Sequence, residues 1–127
     1  MTTFVDTSVL VSVSLGTEAN SEKAKKALEE WPDEDVAVDT TILTETFLVL
    51  RSKVGTSSAA SRVQSLINSY AYFTVAKTVV ARALATAAGS NYGDALIVEQ
   101  AKSIRARLLT LDEKQGALYP EGATVIK

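Results

Sequence analysis

Hydrophobic positions along the chain change period several times, and the changes mark out alternating strands and helices. Residues 3–5 are a short apolar run ending at Asp6, and Thr7 and Ser8 then open a helix through Val9, Leu10 and Val13. After a polar loop at 16–20, residues 21–31 place Ala24, Ala27, Leu28 and Trp31 at helical spacing, with lysines and glutamates opposite. Residues 32–35 end this helix, and 36–38 predict a second strand. Asp39 or Thr40 caps a helix over 41–53. Gly-Thr-Ser-Ser at 55–58 predicts a turn, followed by a helix over 59–68 and a strand over 72–75. An alanine-rich helix over 77–88 is stopped by Gly89-Ser90-Asn91. Gly93 and Asp94 open a helix through Ala101; residues 108–111 predict a fourth strand closed by Asp112. A short helical turn over 113–119 and a strand over 123–126 complete the chain. Strands separated by helices predict an α/β fold, a mainly parallel sheet with helices on both faces. No repeat or linker breaks the pattern, so 1–127 reads as a single domain.

Composition narrows the chemistry. The chain has no cysteine and no histidine. Thiolate sites, imidazole bases, Ser-His-Asp triads and nearly every catalytic zinc site are thereby excluded. The net charge of −2, from 13 basic and 15 acidic residues, does not announce a nucleic-acid binder. No stretch approaches the roughly 20 apolar residues that span a bilayer, and the first residues carry no basic leader. A cytoplasmic protein is expected.

Four acids stand out. Asp6 and Asp112 each end an apolar strand and precede helix-forming sequence, a context that suits a helix N-cap as well as a ligand. Gln115, three residues after Asp112, strengthens the capping alternative there. An acid at the carboxyl end of a strand also lies where open α/β sheets place their ligand sites. Asp94 has the same capping alternative at the start of its helix, but it shares its face with Ile97 and Val98, which draws its carboxylate toward the core or a cleft. Glu45 lies mid-helix, where capping is unavailable, with Ile42, Leu48 and Val49 around it. An ionised carboxylate among apolar neighbours needs a cation or hydrogen bonds, and an ion pair with lysine or arginine is the alternative to a site.

Two carboxylates about 4 Å apart repel by roughly 4 kcal/mol at an effective dielectric of about 20, so a cluster of four calls for a cation. Hard oxygen ligands suit Mg²⁺ or Mn²⁺. With no histidine present, metal-assisted phosphodiester hydrolysis is the natural reaction class. Ser8 and Thr110 are candidate supporting hydroxyls: Ser8 follows Asp6 closely, and Thr110 lies on the same strand face as Asp112. Thr7 is a further hydroxyl of this kind. Arg51 and Lys53 are candidate RNA-contacting cations, with solvated surface charge as the expected role of both.

At these residues the chain resembles the PIN-domain ribonucleases, and in size and layout the toxin component of VapBC toxin–antitoxin systems. The matching stretches are Phe-Val-Asp-Thr-Ser-Val-Leu at 4–10, Leu-Thr-Glu-Thr-Phe-Leu-Val-Leu at 43–50, Asp-Ala-Leu-Ile-Val at 94–98 and Leu-Leu-Thr-Leu-Asp at 108–112. The resemblance implies a PIN-like three-layer α/β/α sandwich. It carries metal binding and catalysis onto Asp6, Glu45, Asp94 and Asp112, and implies Mg²⁺- or Mn²⁺-dependent endoribonuclease activity. A homodimer and an antitoxin that wraps the toxin are implied as well. Many relatives carry another acid two residues after the last, where this chain has Lys114. A PIN nuclease of RNA processing without an antitoxin, and a non-catalytic partner-binding α/β domain, are the alternatives. Val9, Val13, Leu28 and Trp31 offer an apolar groove for an antitoxin or second subunit, with the core as the alternative place for Trp31.

Overall fold

The computed structural model describes residues 2–87 and 91–127. Five strands form one sheet in the order β3-β2-β1-β4-β5: β1 (Thr3–Val5), β2 (Val36–Asp39), β3 (Ala71–Phe73), β4 (Arg107–Thr110) and β5 (Ala123–Val125). Every pairing is parallel. The connecting helices are α1 (Thr7–Leu15), α2 (Ser21–Glu29), α3 (Thr40–Val54), α4 (Thr56–Ser69), α5 (Lys77–Thr86), α6 (Tyr92–Ser103) and α7 (Glu113–Ala117). This is the parallel α/β architecture that the alternation of elements predicts, in the PIN-like form that the resemblance implies. Among the described residues, no helix is long and apolar enough to cross a membrane.

Central strands of a parallel sheet are covered on both faces and read as unbroken apolar runs. Phe4, Val5, Val36, Ala37, Val38, Leu108 and Leu109 are accordingly buried, and they pack with Val9, Leu10, Ile42, Ile97 and Val98 from the helices. Val11, Leu50 and Ala59 tie α1, α3 and α4 together, while Val79, Ala83, Ala95 and Leu96 form a separate core between α5 and α6.

Parallel register aligns the carboxyl ends of the strands. Phe4 pairs with both Ala37 and Leu108, so Asp6 emerges between the ends of β2 and β4. The chain runs outward from β1 to β2 and β3, then returns to add β4 on the other side of β1. The order reverses between β1 and β4, and the crevice outside such a switch point is where open α/β sheets bind ligands.

The differences from the sequence reading are local. The expected turn at 55–58 shrinks to Gly55, whose φ of 86° redirects the chain in one residue, so Thr56 already begins α4. β3 stops at Phe73 rather than 75, because Thr74 turns its carbonyl to the Gln100 side-chain amide at 3.0 Å. α6 opens at Tyr92, capped by Asn91, whose side chain accepts from the Asp94 N–H at 3.3 Å. The alanine-rich helix ends at Thr86 with Ala87 as its C-cap, short of the expected 88, and the stop expected at Gly89-Ser90 lies outside the described residues. The groove expected on the first two helices is partly realised: Val13, Leu28 and Trp31 line a pocket of about 330 Å³, while Val9 is fully buried in the core and the Arg107 guanidinium lies 4.3 Å from the Trp31 ring. A larger apolar groove of about 490 Å³ lies between α3 and α4, walled by Leu43, Phe47, Val63, Ile67 and Tyr72.

Candidate metal centre

Asp6, Glu45, Asp94 and Asp112 come from four separate segments and line one cavity of about 480 Å³. Asp6 follows β1 directly, Asp112 closes the turn after β4, Glu45 stands on α3, and Asp94 lies in the first turn of α6. The described side chains ring this cavity and do not close into a shell where three acids share one ligation point. Mutual repulsion between carboxylates favours such spacing.

The capping alternative holds for Asp6 and Asp112, and it does not compete with a site. Asp6 caps α1, and its Oδ2 accepts from the Ser8 N–H at 3.3 Å, from Ser8 Oγ at 2.6 Å and from Thr110 Oγ1 at 3.0 Å. Every one of these bonds goes to Oδ2. Asp112 caps α7 through Oδ1, which accepts from the N–H groups of Lys114 at 2.9 Å and Gln115 at 3.4 Å. Glu45 Oε1 accepts from Thr7 Oγ1 at 3.1 Å, and no lysine or arginine among the described residues reaches Glu45. The ion-pair alternative for Glu45 is therefore not realised. Among the described residues, each of the four acids keeps at least one carboxylate oxygen without a protein hydrogen bond. Such a set of hard, uncommitted oxygens fits a divalent cation.

The supporting hydroxyls form a small network. Ser8 Oγ accepts from the Leu111 N–H at 3.1 Å, and Thr110 Oγ1 accepts from the Asp112 N–H at 3.0 Å, which ties the Asp6 partners to the turn carrying Asp112. Thr110 Oγ1 also lies 3.1 Å from Gln115 Oε1, yet one hydroxyl has one proton. Turning the Gln115 amide over gives its otherwise unpaired Nε2 an acceptor in Thr110 and leaves the hydroxyl proton to Asp6. Gln115 is a buried contributor that sequence reasoning treated only as a capping partner.

Glu45 sits at a border. Ile42 is buried, but Leu48 and Val49 are 47% and 37% exposed, so the apolar surround expected from helix spacing is only half present. Burial still raises the Glu45 carboxyl above its usual pKa; the Thr7 hydroxyl works against this, and the charges of Asp6, Asp94 and Asp39 add to it. Asp94 is raised by burial and then by Asp6 and Asp112. Burial leads both shifts, and the crowding of like charges adds to it.

Two residues that the sequence does not mark as parts of the site lie next to the acids or on the cavity wall. Gly93 packs its Cα against Glu45, where a Cβ would stand 2.7 Å from Oε2. Glu18, from the loop before α2, lines the cavity beside Lys53. Nothing in the spacing of Glu18 distinguishes it from other loop acids; the short loop after α1 brings it to the cavity.

The PIN domain family model matches residues 3–119, and the chain belongs to the PIN-domain family. Comparison with curated protein sequences gives no significant match. Among solved structures the fold is similar to VapC20 of Mycobacterium tuberculosis, described as a sarcin-ricin loop cleaving toxin, at TM-score 0.79 and 18% identity over 93% of this chain and 95% of that one. It is similar to a toxin–antitoxin complex from Klebsiella pneumoniae at TM-score 0.77 and 21% identity, covering 99% and 98% of the two chains. VapBC2 of Rickettsia felis, bound to a promoter DNA fragment, gives TM-score 0.78 and 12% identity over 100% of both chains. At these identities the likeness is one of fold.

Proposed function

We propose that this PIN-domain protein is a Mg²⁺- or Mn²⁺-dependent endoribonuclease and the toxin of a type II toxin–antitoxin pair. The observation that carries the reading is the ring of four carboxylates from separate segments. They have no balancing lysine or arginine within ion-pair distance among the described residues, and each keeps an uncommitted oxygen. Asp6, Glu45, Asp94 and Asp112 would hold the ion. When bound, it supplies activation of water and neutralisation of charge on the phosphodiester.

The chain's own residues do the positioning. Ser8 and Thr110 pin one oxygen of Asp6, so the carboxylate cannot swing away from the cavity. Thr7 does the same for Glu45, and the first turn of α6 sets Asp94. Fixed ligands of this kind cost little reorganisation when charge develops.

The toxin role follows the fold's neighbours, which include toxin–antitoxin complexes, and it makes a cognate antitoxin, a homodimer and a cytoplasmic RNA substrate the proposed partners. The groove between α3 and α4 offers an antitoxin an apolar seat. The test is cleavage of structured total RNA with Mn²⁺, with EDTA, and with Asp6→Asn run alongside. Cleavage that both EDTA and the substitution abolish is the expected result. No cleavage and no metal binding would transfer the reading to a non-catalytic partner-binding domain.

A further inference from the structure

The cavity holding the four acids has a fifth carboxylate and a cation on its wall. Glu18 and Lys53 both line it, and Lys53 is the one lysine or arginine among the described lining residues. Lys53 Nζ stands 4.0 Å from Glu18 Oε1, at the outer limit of an ion pair, with side chains 49% and 39% exposed. Glu18 is anchored from the other direction. Its backbone N–H donates to Ser21 Oγ at 3.1 Å, Ser21 Oγ donates to the Ser12 carbonyl at 2.7 Å, and Ser12 Oγ donates to Glu18 Oε2 at 3.4 Å. The anion is fixed and the cation is loosely held.

Arg51 and Lys53 lie two residues apart on α3 and have equal charge, but the structure separates them. Arg51 is exposed over the Phe47 ring, its guanidinium 6.0 Å from the centroid, and does not line the cavity. Five carboxylates against one ammonium leave the wall strongly negative, so a polyanionic strand needs a protein cation where it enters. An exposed pair at 4.0 Å contributes little to stability, so trading Glu18 for a phosphate oxygen costs little. Lysine binds phosphate as a mobile point charge, which suits such an exchange.

We propose that Lys53 is the phosphate-binding cation of this cavity. It takes a backbone phosphodiester of the entering RNA strand, and Glu18 keeps the ammonium on the cavity wall until the strand displaces it. This rests on the nuclease reading.

The test is binding of a short fluorescein-labelled single-stranded RNA, read by anisotropy over a range of salt concentrations with Ca²⁺ replacing Mn²⁺. Lys53→Gln is expected to weaken binding about fivefold at low salt and to reduce the log–log salt slope by about 0.7, one phosphate contact on a single strand. Arg51→Gln, an equal loss of charge on the same helix, is expected to change affinity less than about twofold. Glu18→Gln should tighten binding by releasing Lys53, and Lys53→Arg should retain it. Equal effects of Lys53→Gln and Arg51→Gln would overturn the proposal, because net charge alone would then explain both. Wild-type cleavage with Mn²⁺ separates the two readings. If the wild type cleaves and Lys53→Gln is silent, the lysine role alone fails; if the wild type neither cleaves nor binds, both fail.

Discussion

Gly93 leaves the space that Glu45 occupies: a Cβ at position 93 would stand 2.7 Å from Glu45 Oε2, while Thr7 holds the other oxygen. Gly93 lies within α6 and has no left-handed backbone that would demand glycine. Its requirement is therefore steric and local to the acid site.

Gly93→Ala separates stability from activity for that reason. Alanine is favoured over glycine in a helix by up to about 1 kcal/mol, which offsets the cost of moving the flexible end of Glu45. Stability should hold or rise slightly, while RNA cleavage falls about 10- to 100-fold, the usual cost of disturbing a ligand's support. Urea denaturation and cleavage rate on one preparation check the pair. A variant that loses stability and activity in parallel would mean that Gly93 serves packing alone.

Asp6→Asn and Asp94→Asn probe the ligands themselves. Asparagine caps a helix as well as aspartate, so α1 stays capped in Asp6→Asn. Cleavage should fall more than about 100-fold in each, beyond the loss of a supporting partner. Mn²⁺ should raise wild-type stability by ~2.7 kcal/mol at roughly 100 times Kd, and this gain should shrink in both variants. Thermal unfolding with and without Mn²⁺ reads it directly. Full activity in both variants would remove the acids from the site.

The sequence made the layout legible because two signals coincide at each acid. Asp6 and Asp112 follow apolar runs that only a strand explains, and parallel register then brings strand ends together. Asp94 reads inward because Ile97 and Val98 share its face, and both are buried. Glu45 was legible for a partly wrong reason, since Leu48 and Val49 are exposed, and what burial remains is opposed by the hydrogen bond from the Thr7 hydroxyl. Gly93, Gln115 and Glu18 were not legible as parts of the site, and Lys53 was legible only as a candidate cation on a par with Arg51. Each acts through a contact between distant segments that no local period encodes.

Glu45→Gln tests the crowding of charge. The folded pKa of Glu45 is raised by burial first and by the neighbouring acids after the Thr7 bond is set against it. A raised carboxyl pKa means that the folded state binds a proton more readily than the unfolded chain, so its ionised form opposes folding above that pKa. Glutamine keeps an acceptor for Thr7 and removes the charge. Metal-free stability at neutral pH should rise, and the Mn²⁺-dependent gain should fall. Denaturant unfolding in EDTA gives the sign, and a clear loss of stability would point to a structural role for the charge.

Asp39 gives the sharpest pH dependence outside the four acids. It ends β2, is fully buried, and caps α3 through Oδ1, which accepts from the Ile42 N–H at 2.9 Å; Oδ2 has no partner among the described residues. Burial raises its pKa from 3.8 to about 6, against the pull of the backbone N–H groups of Ile42 and Thr41. Between those values the folded state holds a proton that the unfolded chain has released, so stability falls as pH rises through the window. The full penalty, about 3 kcal/mol for a shift of roughly two units, is present above the folded pKa. The substitution Asp39→Asn keeps the cap without the charge, although the buried amide NH₂ inherits the unpaired position. The variant should gain about 1–2 kcal/mol at neutral pH, with the stability slope below pH 6 flattened by up to one proton. Urea midpoints measured across the window in wild type and variant decide it. Parallel pH profiles would show that Asp39 is ionised in the folded protein throughout, held so by donors beyond the two backbone groups.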